Sequence, residues 1–293
     1  MSDTFAAEDQ DHTPEFTYSH PGQTTFRRGL IRMVERLSGQ PMLRNLYLDW
    51  SANPRRDETV FDAALRLLRI NPLCTWQTPK AAIPQSGGLL LIANHPYGIV
   101  DGLALGQLGM HLRGNVQIMT NSVLCQPREL TPHLLPVDFS GTAQARKASG
   151  QSRRLAVELL TQGKVVAIFP GGGISTANAP LHGPAHDAEW HSFLGRLATI
   201  PGVTTLPVHF AGQNSRLFQI ASHLSYPLRI ALIFHETRRL MGKALRMTVG
   251  SPITADDLRA LDRADIAPML RQQTMALGNR PDEVFVWPSH VRW

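Results

Sequence analysis

Seven short apolar runs, separated by stretches with helical spacing, organise this chain between about residues 89 and 250. They cover 89–93, 116–120, 134–139, 165–169, 203–210, 228–235 and 245–249, and glycine or proline stands beside most of them. Runs of this length predict strands of a buried sheet. Between them, 103–112, 143–161 and 187–198 place apolar residues at helical intervals. The alternation predicts an α/β fold: a central, mostly parallel or mixed sheet flanked by helices. Ahead of the sheet, Phe26, Leu30, Met33, Val34 and Leu37 share a helical face, with Arg27, Arg28, Arg32 and Arg36 around the others. This predicts a basic amphipathic helix over 26–37. Further helices are predicted over 41–49 and over 57–70, where Asn71-Pro72 stops the pattern. Behind the sheet, Thr254 to Asp257 resembles a capping box opening a helix toward Leu261, and 265–277 supplies another.

These patterns divide the chain into four parts. Residues 1–22 form a polar, acidic tail broken by Pro14 and Pro21 and are expected to be disordered. Residues 23–72 hold the N-terminal helices, which are open to membrane contact. Residues 73–252 form the α/β domain, and 253–293 form a C-terminal helical extension. No stretch approaches the roughly eighteen apolar residues of a membrane span, and no signal pattern opens the chain.

Charge changes the picture of partners. The net charge is +6, yet the first twenty residues carry five acids and no Lys or Arg, so the rest balances at +11. Twenty-five of the 29 cations are arginines, whose planar fork suits phosphate and carboxylate. Anionic lipid, coenzyme A and acyl carrier protein therefore fit as partners. Low aromatic content and the lack of a nucleic-acid motif argue against nucleic acid. The two cysteines, Cys74 and Cys125, make no disulfide framework or zinc spacing, which suits the cytoplasm.

Two strand ends carry the candidate chemistry. The run 89–93 leads into Asn94-His95-Pro96-Tyr97-Gly98-Ile99-Val100-Asp101. Six positions on one helix would turn His95 and Asp101 about 240° apart, so they meet only through a loop, which Pro96 and Gly98 supply. A histidine oriented by a carboxylate is a general base. The run 165–169 leads into Pro170-Gly171-Gly172-Gly173-Ile174-Ser175, a corner whose backbone N–H groups can approach an oxyanion or phosphate. Asn214 and Arg216, just past the run 203–210, stand where α/β sheets hold ligands, and Arg216 is a candidate for an anionic head group. His182, His186, Asp187 and His191 invite a metal reading, but Gly183 and Pro184 interrupt the spacing. No metal is expected.

Asn94-His95 with Asp101-Gly102, then Phe169-Pro170-x-Gly172-x-x-Ser175, then Leu206-Pro207-Val208 resemble, in order, motif blocks of the glycerolipid (PlsC-like, lysophosphatidic-acid) acyltransferase superfamily. The resemblance covers about residues 75 to 250. It implies that His95 deprotonates an acceptor hydroxyl, that Asp101 orients it, and that the oxygen attacks an acyl thioester on coenzyme A or acyl carrier protein, without a cofactor. The implied substrate contacts are Asn94, Gly98, Phe169, Pro170, Gly171, Gly172, Gly173 and Ser175, beside Asn214 and Arg216. One extra residue between His95 and Asp101 resembles the subgroup of hemolysin-labelled and lyso-ornithine-lipid O-acyltransferases. Gly171 and Ile174 stand where the superfamily has Glu and Arg, and Phe139 where it has another Arg. These losses favour a lyso-aminolipid acceptor over lysophosphatidate, unless Arg146, Lys147, Arg153 or Arg154 replaces the cations. A lipid substrate implies peripheral contact with anionic membrane, on the cytoplasmic face of the inner membrane.

Overall fold

The computed structural model describes residues 14–17, 19, 23–121, 127–137, 142–280 and 283–291. Helices α1 (Thr25–Ser38), α2 (Gln40–Ser51) and α3 (Val60–Leu67) precede β1 (Asn71–Trp76) and β2 (Gly88–Ala93). Then come α4 (Ile99–Arg113), β3 (Gln117–Asn121), β4 (Leu134–Val137), α5 (Ala143–Thr161), β5 (Val165–Ile168), β6 (Thr176–Ala177) and β7 (Ala185–His186). The chain continues through α6 (Phe193–Ala198), β8 (Val203–Phe210), α7 (Arg216–Leu224), α8 (Tyr226–Ala231), α9 (Ile233–Leu240) and β9 (Ala244–Val249). It ends with β10 (Ile253–Thr254), α10 (Ala255–Leu258) and α11 (Arg263–Ala276).

The main sheet runs β1-β9-β8-β2-β5-β3-β4, with β10 on β8. All pairings are parallel except β8 with β9 and with β10. The expected mixed, mostly parallel sheet is therefore present. Its centre is apolar on both faces because helices cover both. Leu89, Leu91 and Ala93 pack toward α3 and α4, whereas Leu90 and Ile92 pack toward α5, α6 and α11. Every residue of β2 is buried, as expected for a strand covered on both sides. β2 lies between β5 and β8 in parallel, with Ile92 opposite both Ile168 and Pro207. Its C-terminal end thus opens beside that of β5, the side of the sheet where α/β proteins hold ligands.

Several expectations need correction. The apolar run 228–235 is not a strand: it lies across α8 and α9. Buried Ile233, Phe234, Thr237 and Leu240 follow helical spacing once the polar residues after 235 are included. The helix expected over 187–198 is only α6, because the residues before it are held by Asp187 and by the His191 N–H, which donates to the Pro170 carbonyl. The helix expected over 57–70 is shorter, starting at its Thr59–Asp62 capping box and closing before Arg69, whose φ is +53°. β1 was not anticipated, since Asn71-Pro72 reads only as a helix stop; the parallel pairing with β9 at the sheet edge accommodates the proline. The C-terminal helices are part of the core: Leu258, Ile266 and Leu270 are buried in the same cluster as β2. Residues 14–17 and 19, expected within a disordered tail, lie against α1 and α2. Phe16 meets the Tyr47 ring edge-on at 5.4 Å, and the Pro14 carbonyl accepts from Arg44 Nε at 2.8 Å. Residues 1–13 and the Phe139 position lie outside the described residues.

Candidate active site

The histidine loop is built as its composition requires. After Ala93 the chain leaves β2, and Gly98 takes φ +84°, a conformation costly for any residue with a Cβ. A Cβ there would also come within 2.8 Å of Ile174 Cδ1, so the two strand-end corners pack directly on each other. α4 begins at Ile99, which puts Asp101 in its first turn rather than at its N-cap. The Asp101 carboxylate is fully buried, and its Oδ2 accepts the N–H groups of Tyr97 at 2.7 Å and Gly98 at 3.0 Å. His95 Nδ1 lies 3.2 Å from the same oxygen, while Oδ1 has no partner. Burial pushes the Asp101 carboxyl upward from the usual carboxylate range, and His95 and the two amides oppose that shift. The imidazole is further fixed by stacking on Phe169, with ring centres 4.0 Å apart and planes at 28°. Since Nδ1 faces Asp101, Nε2 is left for a reacting group.

The glycine corner is tied to the histidine loop through Asp187. This buried carboxylate accepts the His95 backbone N–H at 3.2 Å, the Ser175 hydroxyl, and Trp190 Nε1–H at 3.0 Å. The Ser175 N–H in turn donates to the His95 carbonyl at 2.8 Å. Gly171 passes close to this carboxylate: a Cβ on it would stand 3.4 Å from Asp187 Oδ2, at ordinary van der Waals contact. Gly172 has φ +68° and closes a turn onto Phe169. The N–H groups of Gly173 and Ile174 carry no hydrogen bond among the described residues. On the far side, fully buried Arg229 holds the corner by its guanidinium. It donates to the Ile174 carbonyl, to Thr176 Oγ1 at 2.5 Å and to Ser222 Oγ at 2.7 Å. Burial lowers the Arg229 pKa to about 9, within a range where the group stays charged at neutral pH.

His95 opens on a cavity of about 340 Å³. Its floor is apolar, running from Phe61 and Leu65's neighbours on α3 past α2 and α9. Among the described residues no Asp or Glu lines it. Of the expected site residues, His95, Gly98, Phe169, Pro170, Gly172 and Gly173 line this cavity, and Asp101 stands behind His95. The others are placed differently. Asn94 spends its whole amide on Phe210, donating to the carbonyl at 2.9 Å and accepting the N–H at 2.7 Å, so it clamps β2 to β8. Ser175 and Gly171 back the corner through Asp187 and do not line the cavity. Asn214 is buried with neither amide atom bonded, away from the cavity. Arg216 is exposed and donates to the Gly183 carbonyl at 2.8 Å, so it does not reach the His95 site. His186 faces Glu283 at 3.2 Å, and His191 stands on the cavity wall, so the weighed histidine cluster is dispersed. Asp187 and Arg229 were not anticipated in these roles: one lies twelve positions past Ser175, beyond the β6–β7 hairpin, and the other sits in the run 228–235, which reads equally as a strand.

Residues 75–283 match the family model described as Acyltransferase. The chain belongs to this acyltransferase family. Two curated relatives are the lyso-glycine lipid O-acyltransferases of Phocaeicola vulgatus and Bacteroides thetaiotaomicron. Each is 28% identical, over 58% of this chain and 61% and 62% of their own lengths, respectively. The matched part of the chain thus spans about three fifths of these relatives. A solved structure, the 1-acyl-sn-glycerophosphate (LPA) acyltransferase PlsC of Thermotoga maritima, aligns loosely at 13% identity, with TM-score 0.45 over 87% of this chain and 96% of that one.

Proposed function

We propose that this protein is a lysolipid O-acyltransferase that moves a fatty acyl group from acyl carrier protein or coenzyme A to the hydroxyl of a lyso-aminolipid. The observation that carries the reading is the His95–Asp101 pair opening on an apolar cavity free of carboxylates among the described residues. The names of the two curated relatives supply the acceptor class. In this mechanism His95 Nε2 takes the acceptor's hydroxyl proton as the oxygen attacks the thioester carbonyl. Asp101 stabilises the imidazolium so formed. The tetrahedral oxyanion is received by the unbonded N–H groups of Gly173 and Ile174. Collapse breaks the C–S bond, and the imidazolium returns its proton to the departing thiolate. The acyl chain lies in the apolar cavity.

A lipid acceptor requires access to a bilayer surface, and α1 is suited to give it. Its inner face packs through Ile31, while Phe26, Met33 and Leu37 are exposed in a stripe beside Arg32 and Arg36. That combination favours peripheral contact with anionic lipid. Among the described residues no helix is long and apolar enough to cross a membrane. The test is purified His95→Ala protein, shown to be folded and supplied with acyl-thioester and a lyso-glycine lipid. Transfer should fall to background, and retained transfer would overturn the mechanism.

A further inference from the structure

Among the described residues the cavity wall carries two permanent cations, Arg153 and Arg229. Arg229 is committed to protein: besides its three hydrogen-bond partners, its guanidinium lies between the rings of Phe218 and Trp287, at 4.8 and 4.9 Å from their centres. Arg153 is the opposite case. It projects from the middle of α5, is exposed, and has no hydrogen bond or ion pair with any described residue. Its one fixed contact is the Phe193 ring, 5.4 Å below the guanidinium carbon. Phe193 and His191 share the cavity wall with it, beside Pro170 and Gly172 of the glycine corner. Arg146, Lys147 and Arg154 on the same helix do not line the cavity.

We infer that Arg153 receives the head-group carboxylate of the acceptor lipid, an assignment that rests on the lyso-aminolipid reading above. Exposed arginines commonly find an acid; this one stands at the edge of an apolar cavity whose described wall offers none. Its donors are free of every described residue and its plane is steadied on an aromatic face, which lowers the entropy lost when a planar anion binds. An amino-acid head group such as glycine ends in a carboxylate, which a guanidinium grips through two parallel hydrogen bonds. The acceptor then lies with its carboxylate at the rim and its hydroxyl at His95 Nε2. The competing anion is phosphate on the acyl donor, and the experiment separates the two.

Full-length wild type and Arg153→Ala are compared on a lyso-glycine lipid and on the same lipid as its glycinamide, by acyl-transfer kinetics and by thermal shift without donor. Wild type should prefer the acid. Arg153→Ala should raise KM for the acid about 10- to 100-fold, as for loss of one charge-assisted pair. Rates with the amide and KM for the donor should stay within about twofold, since the side chain is exposed and hydrogen-bonds no described residue. An unchanged acid-to-amide ratio overturns the assignment, and so does a rise confined to the donor's KM. A protein that transfers to neither lipid, yet binds the acid more tightly than the amide and loses that preference in Arg153→Ala, supports Arg153 and refutes the transferase reading.

Discussion

Asp101→Asn separates the charge of the site from its shape. In the native arrangement Oδ2 accepts two backbone donors, Tyr97 N–H and Gly98 N–H, and faces His95 Nδ1 at 3.2 Å, while Oδ1 takes no donor. An asparagine whose carbonyl oxygen replaces Oδ2 keeps both amide bonds and still presents an oxygen to His95 Nδ1, and its NH2 falls where no bond existed. The loop and the imidazole tautomer are therefore retained. What disappears is the carboxylate charge opposite the imidazolium. At the 3.2 Å separation, that attraction is about 5 kcal/mol with an effective dielectric of about 20. The amide dipole recovers part, so kcat should fall by about 10²- to 10³-fold. Stability should move the other way. Burial raises the Asp101 pKa above its unfolded value, so its contribution is full below the unfolded pKa and is lost as pH rises through the folded one. The variant escapes that loss, and its Tm relative to wild type should climb from about pH 4 upward. The assay is initial acyl-transfer rates at saturating acceptor, with melting curves from pH 4 to 7.5. A variant within tenfold of wild-type kcat, or clearly less stable than wild type at pH 7, refutes the reasoning.

Asp187 should behave as a structural anchor of graded cost. Asp187→Asn can turn its NH2 toward Trp190 and strand one buried donor, losing about 1–3 kcal/mol. Asp187→Ala strands the His95 N–H, the Ser175 hydroxyl and the Trp190 N–H together, so its Tm should drop further. An Ala variant that melts with wild type contradicts the network. His209 should make the protein acid-sensitive: burial, with Arg280 nearby, lowers its pKa from 6.5 to about 4. The unfolded chain thus takes a proton first, and stability present above about pH 6.5 is lost as pH falls toward 4, by up to about 3 kcal/mol. Denaturant titrations at pH 7, 5.5 and 4.5 should show His209→Asn with a flatter profile, and identical slopes would count against a neutral buried imidazole.

The parts of this fold legible in the sequence are those in which local pattern and tertiary role agree. α5 occupies residues 143–161 as its periodicity predicts, and the Thr254–Asp257 capping box forms as written. The strand ends carrying His95 and the glycine corner were legible because an apolar run, a proline and glycines mark a strand exit without help from the rest of the chain. Where one local pattern has two solutions, tertiary context decided. The run 228–235 satisfies a strand or a buried helix equally, and the neighbours on α1 and α7 select the helix. β1 takes its identity from β9, which lies about 170 positions later, so nothing local distinguishes it from a loop.

The same distinction explains why the site was only half legible. Residues with a fixed spacing on one loop, His95 and Asp101, declare their relation. Residues brought from distant segments do not. The glycine corner lacks charged side chains of its own at positions 171 and 174, yet a carboxylate, Asp187, stands against Gly171, and a guanidinium, Arg229, bonds the Ile174 carbonyl. Both charges are buried, and both are spent on holding backbone and hydroxyl groups. Neither is therefore left to read a substrate. Arg216, the cation that spacing suggested for that task, is turned toward Gly183 outside the cavity. Among the described residues, the cation on the cavity wall that bonds no other group is Arg153, which reaches the site because α5 crosses beside the glycine corner. Recognition of the acceptor is thus assigned by which charges the fold consumes, a property of packing that no motif spacing records.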